Sequence, residues 1–159
     1  MFKGWVIFLL AVTLIACQSA TRVVRDDAIG LIDSQALLTQ YPGYREQYQD
    51  YQPTAAQLLA IKQLEGKTLI ILFGTWCHDS EREVPRLLKT LALAHVKLAS
   101  LQLLGVTPNK QLPQGAHRAY ALRYTPTFIL LDTEREIGRV IERPVLSVAE
   151  DLAAMLPTT

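Results

Sequence analysis

The sequence is poor in cysteine, in charge of one sign and in compositional bias of any kind, and each shortage closes off a class of function. Two cysteines, Cys17 and Cys77, among 159 residues cannot build the disulfide framework of a small secreted scaffold. Sixteen basic and fifteen acidic residues leave a net charge of +1, with no block of like charges. A nucleic-acid footprint needs a strong, clustered excess of Lys and Arg, so no nucleic-acid partner is expected. The three histidines, His78, His95 and His117, are scattered, and with one neighbouring thiol they make no ligand set. Neither a metal nor a cofactor is expected. Pro/Gly-rich blocks, low-complexity tracts and internal repeats are missing as well. What remains, 50% hydrophobic and 19% charged, is the composition of one globular domain with room for a short appendage.

The first residues have the layout of an export signal. Lys3 supplies a positive charge, Trp5 to Ala16 is an almost unbroken apolar run, and small or polar residues follow. The run is short for a membrane span, which takes about 20 apolar residues. Its end, Leu14-Ile15-Ala16-Cys17, resembles the lipobox of bacterial lipoproteins. That resemblance implies acylation of Cys17 and anchoring to a membrane of the bacterial cell envelope, on its periplasmic side. Gln18 after the cysteine favours the outer membrane. A signal cut later, or an uncleaved anchor, are the competing readings. If Cys17 carries lipid, Cys77 is the one remaining thiol, and an unpaired thiol in an oxidising compartment is either reactive or buried.

The chain then divides into a signal at 1–16, a tether and helical extension at 17–52, and a domain at 53–157. Ile29 to Leu38 suits a short helix, interrupted by Pro42-Gly43. Tyr41, Tyr44, Tyr48 and Tyr51 recur at helical spacing and read as flank-covering side chains with hydroxyls at the edge. Thr54 is an N-cap for a helix ending near Gly66. The unbroken apolar run Thr68–Phe73 suits a strand buried on both faces. A helix beginning near Cys77 carries Val84, Leu87, Leu88 and Leu91 inward. Strands are expected at Val96–Leu104, Thr127–Leu131 and Ile137–Ile141, a short helix at Gln114–Leu122, and a last helix capped by Ser147. The predicted class is α/β: a central four-stranded mixed sheet flanked by helices.

Cys77 stands directly after the buried strand, at the first turn of a helix, where free backbone N–H groups and the helix dipole favour an anionic sulfur. Phe73-Gly74-Thr75-Trp76-Cys77, Pro85 eight residues later, and Tyr124-Thr125-Pro126-Thr127-Phe128 together resemble the thioredoxin superfamily. The resemblance runs from about residue 53 to 157 and implies a thioredoxin-like fold. It implies a cis Pro126 facing Cys77 and a Thr125 backbone that pairs with an extended substrate segment; Trp76, next to the cysteine, would shield one side and offer an apolar contact surface. A protonated His78 would favour the thiolate, and an ionised Asp79 would oppose it.

Two departures from that family's pattern matter. The second cysteine of the usual Cys-x-x-Cys motif is Ser80, which can hydrogen-bond the Cys77 sulfur but cannot resolve a mixed disulfide. The acidic residue that thioredoxins bury six positions before the cysteine is Ile71. Three functions remain open. The first is a monothiol exchanger, an oxidoreductase or isomerase without a resolving cysteine, that acts on a protein or low-molecular-weight thiol/disulfide client and needs an external thiol for turnover. The others are a non-catalytic peptide- or protein-binding module and a redox-sensing thiol.

Overall fold

The computed structural model describes residues 26–157; the signal segment, Cys17 and the tether as far as residue 25 lie outside the described residues. Eleven elements follow one another. They are strand β1 (Gly30–Ile32), helices α1 (Ser34–Gln40), α2 (Pro42–Asp50) and α3 (Ala55–Lys62), strand β2 (Thr68–Phe73), helix α4 (His78–Ala94), strand β3 (Ser100–Gly105), a 3-10 segment (Pro113–Tyr120), strands β4 (Thr127–Asp132) and β5 (Arg135–Ile141), and helix α5 (Val148–Ala154).

Local chemistry sets the helix starts. Asp33 accepts from the backbone N–H groups of Gln35 and Ala36, at 2.8 and 3.1 Å, and opens α1. Pro42 supplies the fixed φ that suits the first turn of α2. Thr54 and Gln57 form a reciprocal capping box on α3. Ser147 caps α5 by accepting from Glu150 N–H.

The strands form a mixed α/β sheet in the order β1-β3-β2-β4-β5, in which β2 and β3 are parallel and every other pair is antiparallel. Leu69 to Phe73 of β2 are all buried, which is why this central strand reads as a continuous apolar run. Alternation splits its side chains between two cores. Leu69, Ile71 and Phe73 meet Leu37, Tyr44, Ile61, Val84 and Leu152, one from each of the five helices. Ile70 and Leu72 meet Val106, Leu112 and Ile129 in a smaller core, against which Tyr120 and Leu122 also pack. The helices thus cover one face, and the connection between β3 and β4 covers the other.

The sheet has five strands rather than four. Gly30, with φ of +90°, leads into β1 where the sequence suggested a helix, and Gly30, Leu31 and Ile32 pair with Gly105, Leu104 and Leu103 of β3. A strand of three residues is too short to show an alternating pattern, and its pairing partner lies about seventy residues away in sequence. Gly105 permits the fit: a Cβ there would overlap the Ala28 carbonyl oxygen, where the incoming chain crosses the end of β3. Leu37 and Tyr44 also place the segment preceding residue 53 within the main core.

Other boundaries shift for identifiable reasons. Strand β3 starts at Ser100, not Val96, because α4 ends in a left-handed His95 and Val96 N–H bonds back to Leu91 O. The segment expected as a helix over Gln114–Leu122 is a 3-10 stretch in which Gln114 and Gly115 leave helical geometry and no residue is fully buried. Helix α4 runs through Pro85 and begins at His78, with Cys77 as its N-cap.

Candidate functional site

The turn between β2 and α4 is Gly74-Thr75-Trp76-Cys77. It is closed by Cys77 N–H donating to Gly74 O at 3.0 Å, and the first α4 bond, Glu81 N–H to Cys77 O, follows at 3.0 Å. Cys77 is half-buried and its thiol is free. At the N-cap its backbone is extended, and the side chain makes no capping bond. The sulfur instead lies 3.2 Å from the carbonyl oxygen of Thr125, which the thiol can reach as a donor.

The facing wall is built at the start of β4. The Thr125–Pro126 peptide is cis, and both residues are buried. Thr127 Oγ1 donates to Tyr124 O at 2.7 Å and fixes the turn. On the far side, Glu142 N–H donates to Pro126 O at 2.8 Å, which ties the loop after β5 to the same wall. Cys77, Thr125 and Pro126, distant in sequence, are thereby brought together.

Trp76 keeps 37% of its surface exposed while its indole N–H donates to Val106 O at 3.0 Å. Gly74 makes room for that ring, since a Cβ there would come within 2.6 Å of the indole nitrogen. The Lys110 ammonium lies 6.0 Å from the ring centroid, on the outer limit of a cation–π contact. Tyr124 just before the Thr125–Pro126 step, Ile141 at the end of β5, and Val145 and Leu146 ahead of α5 are also exposed. A shallow depression beside them is lined by Asp79, Ile141, Glu142 and Arg143.

Ser80 does not take the role expected of it. It is fully buried, and its oxygen accepts from Gly74 N–H at 3.2 Å. Among the described residues no hydrogen bond joins Ser80 to Cys77; the sulfur's contact is Thr125. His78 is exposed on the first helical residue. Asp79 pairs with Arg82 at 2.9 Å and with Arg143 at 3.2 Å, which joins α4 to the loop after β5. His95 ends α4 in left-handed geometry, and His117 Nδ1 accepts from Leu112 N–H at 3.2 Å. Among the described residues no three His, Cys, Asp or Glu side chains gather as metal ligands. Ile71 is fully buried, with Leu103 and Phe128 on the adjacent strands.

Two sets of contacts carry no signal in the sequence. Thr75 Oγ1 donates to Asp27 Oδ1 at 2.9 Å and accepts from Ala28 N–H at 3.2 Å, so the entering chain is fastened to the turn that carries Cys77. Tyr44 is 1% exposed, where the tyrosine spacing suggested a flank, and its hydroxyl donates to Gly74 O at 3.0 Å. Burial pushes that hydroxyl far above the ordinary tyrosine range; Cys77 and Glu81 act in the same direction and the Ser80 hydroxyl in the opposite one. Helical spacing marks four tyrosines alike and does not say which one enters the core.

No protein family matches the chain by sequence, and no curated protein does. Solved structures do match its shape. A Pseudomonas aeruginosa protein of unknown function aligns with a TM-score of 0.60 at 17% identity, covering 80% of this chain and 92% of that one. An HIV epitope-scaffold aligns with a TM-score of 0.59, also at 17% identity, with the same coverages of 80% and 92%. At this identity the likeness is one of fold alone.

Proposed function

We propose that the protein is a thioredoxin-like monothiol exchanger of the bacterial cell envelope, which forms mixed disulfides through Cys77 and needs an external thiol to release them. The observation that carries this is the placement of the Cys77 sulfur 3.2 Å from the Thr125 carbonyl, against the wall formed with Pro126. A half-exposed thiol at the N-cap of a 17-residue helix, beside a buried Thr-Pro step and following the exposed Trp76 in the chain, suits attack on a disulfide in an extended segment.

In the exchange, Cys77 gives up its proton and its sulfur bonds to one sulfur of the client. The client's own S–S bond breaks, and the departing sulfur leaves with the electron pair and takes a proton. Ser80 carries no thiol, so no second cysteine beside Cys77 can attack the new bond, and short of reversal by the departed client sulfur an outside thiol must. An outside thiolate such as glutathione bonds to the client sulfur and returns Cys77 with its electron pair.

The experiment is to mix the purified full-length protein with a peptide disulfide and follow adducts by non-reducing gel and peptide mapping. A long-lived adduct mapped to Cys77 and cleared by added glutathione is the expected result. Absence of any Cys77 adduct, with the protein folded, would leave the Thr125–Pro126 wall as a binding surface without chemistry.

Anchoring through a lipidated Cys17 is part of the same reading, supported by the Leu14-Ile15-Ala16-Cys17 run. Among the described residues no helix is long and apolar enough to cross a membrane. The wild type is expected to incorporate labelled palmitate and to partition into detergent, and Cys17→Ala to lose both. A mature N-terminus beyond Cys17 would sink the anchor without touching the thiol chemistry.

A further inference from the structure

Gly74 is gripped from both sides by buried side chains. Its carbonyl oxygen accepts twice: from the Cys77 N–H at 3.0 Å, which closes the turn, and from the Tyr44 hydroxyl at 3.0 Å. Its N–H donates to Ser80 Oγ at 3.2 Å. Tyr44 comes from α2 and Ser80 from the first turn of α4, so two helices hold the two peptide groups that flank the Gly74 Cα, three residues before the thiol. Neither side chain is free to relax. Tyr44 is 1% and Ser80 0% exposed, and the Tyr44 ring packs edge-on against Phe73 at 5.8 Å and Tyr41 at 6.2 Å.

We infer that Tyr44 and Ser80 are positioning residues that hold the Gly74–Cys77 turn so that the Cys77 sulfur meets the Thr125–Pro126 wall in one orientation. This rests on the thiol-exchange reading and gives it a mechanical support. Ser80 is then a strut in its own right. Its oxygen is a strong acceptor for Gly74 N–H, and a thiol in that place would be a weak one. The Tyr44 hydroxyl, held protonated by burial, remains a donor to Gly74 O at any ordinary pH. Because that oxygen is also the acceptor for Cys77 N–H, movement of one bond is felt at the other.

The test compares two reactions of the same sulfur. Iodoacetamide asks only for an accessible thiolate, whereas attack on a disulfide needs the sulfur in line with an S–S bond lying against the wall. Tyr44→Phe keeps the ring and removes the hydroxyl; Ser80→Ala removes the acceptor. In the full-length protein each is expected to slow mixed-disulfide formation with a peptide disulfide by about ten-fold or more, because small misplacements weigh heavily on oriented reactions. Alkylation by iodoacetamide should change by less than about two-fold. The double variant should be slower than the worse single by less than the product of the two single effects, since both hold the same residue, Gly74, through its neighbouring peptide groups. Equal effects on the two reactions, or none on either, would overturn the inference. If Tyr44→Phe fails to fold, Ser80→Ala alone decides by the same ratio. A wild type that forms no adduct would instead refute the exchange reading itself.

Discussion

Cys77→Ser is expected to abolish every covalent adduct while leaving the fold intact. A serine oxygen cannot form or break a disulfide, so the loss should be complete rather than graded. The substitution is nearly isosteric, and a hydroxyl can make the same donation that the thiol makes to Thr125 O at 3.2 Å. Cys77 belongs to neither apolar core, and the stability change should therefore stay within about 0.5 kcal/mol. Peptide mapping after incubation with a peptide disulfide, alongside a thermal melt, separates the two quantities. An adduct surviving in the folded Cys77→Ser protein would show that the reactive sulfur lies elsewhere. Full loss of adducts with an unchanged melt would assign them to this residue.

The largest expected effect on stability is that of Phe128→Ala. Phe128 is fully buried on β4, between Ile71 of β2 and Val140 of β5, in the core that all five helices share. Deleting a buried phenyl ring loses its transfer free energy and leaves a cavity that a sheet cannot close by sliding, which costs about 3–5 kcal/mol. For a chain of this size the melting temperature should fall by roughly 10–15 °C. Val145→Ala is the contrast. Val145 is 92% exposed, and its truncation should move stability by less than about 0.5 kcal/mol. Denaturant unfolding of the two variants beside the wild type checks both. A loss below about 1 kcal/mol at Phe128 would contradict its place in the core.

Features encoded over short stretches were legible before any coordinates. The β-branched, unbroken Thr68–Phe73 has those same bounds as a strand because it lies in the middle of the sheet and is covered on both faces. Thr54 and Ser147 cap helices because a hydroxyl just ahead of an apolar-periodic stretch has few other uses. The placement of the Thr125–Pro126 step beside the thiol is of another kind: it spans 48 residues and was implied by the resemblance to thioredoxins, not by any local pattern. The 3-10 segment has the composition of a helix, while Gln114 and Gly115 take left-handed geometry that no periodicity reports.

By itself, then, the sequence determined the central strand Thr68–Phe73 and the helix that follows Cys77, both properties of hydrophobic period and local turn chemistry, while the meeting of the thiol with the Thr125–Pro126 step was implied by the resemblance to thioredoxins. The tertiary structure alone decided the fifth strand, the burial of Tyr44 rather than its three neighbours, and the engagement of Ser80 with Gly74 instead of Cys77. The reason is the same in each case. These outcomes depend on which backbone groups a distant element leaves to be satisfied, at Gly74 and along the open edge of β3, and a buried polar group takes whatever partner the fold brings within reach.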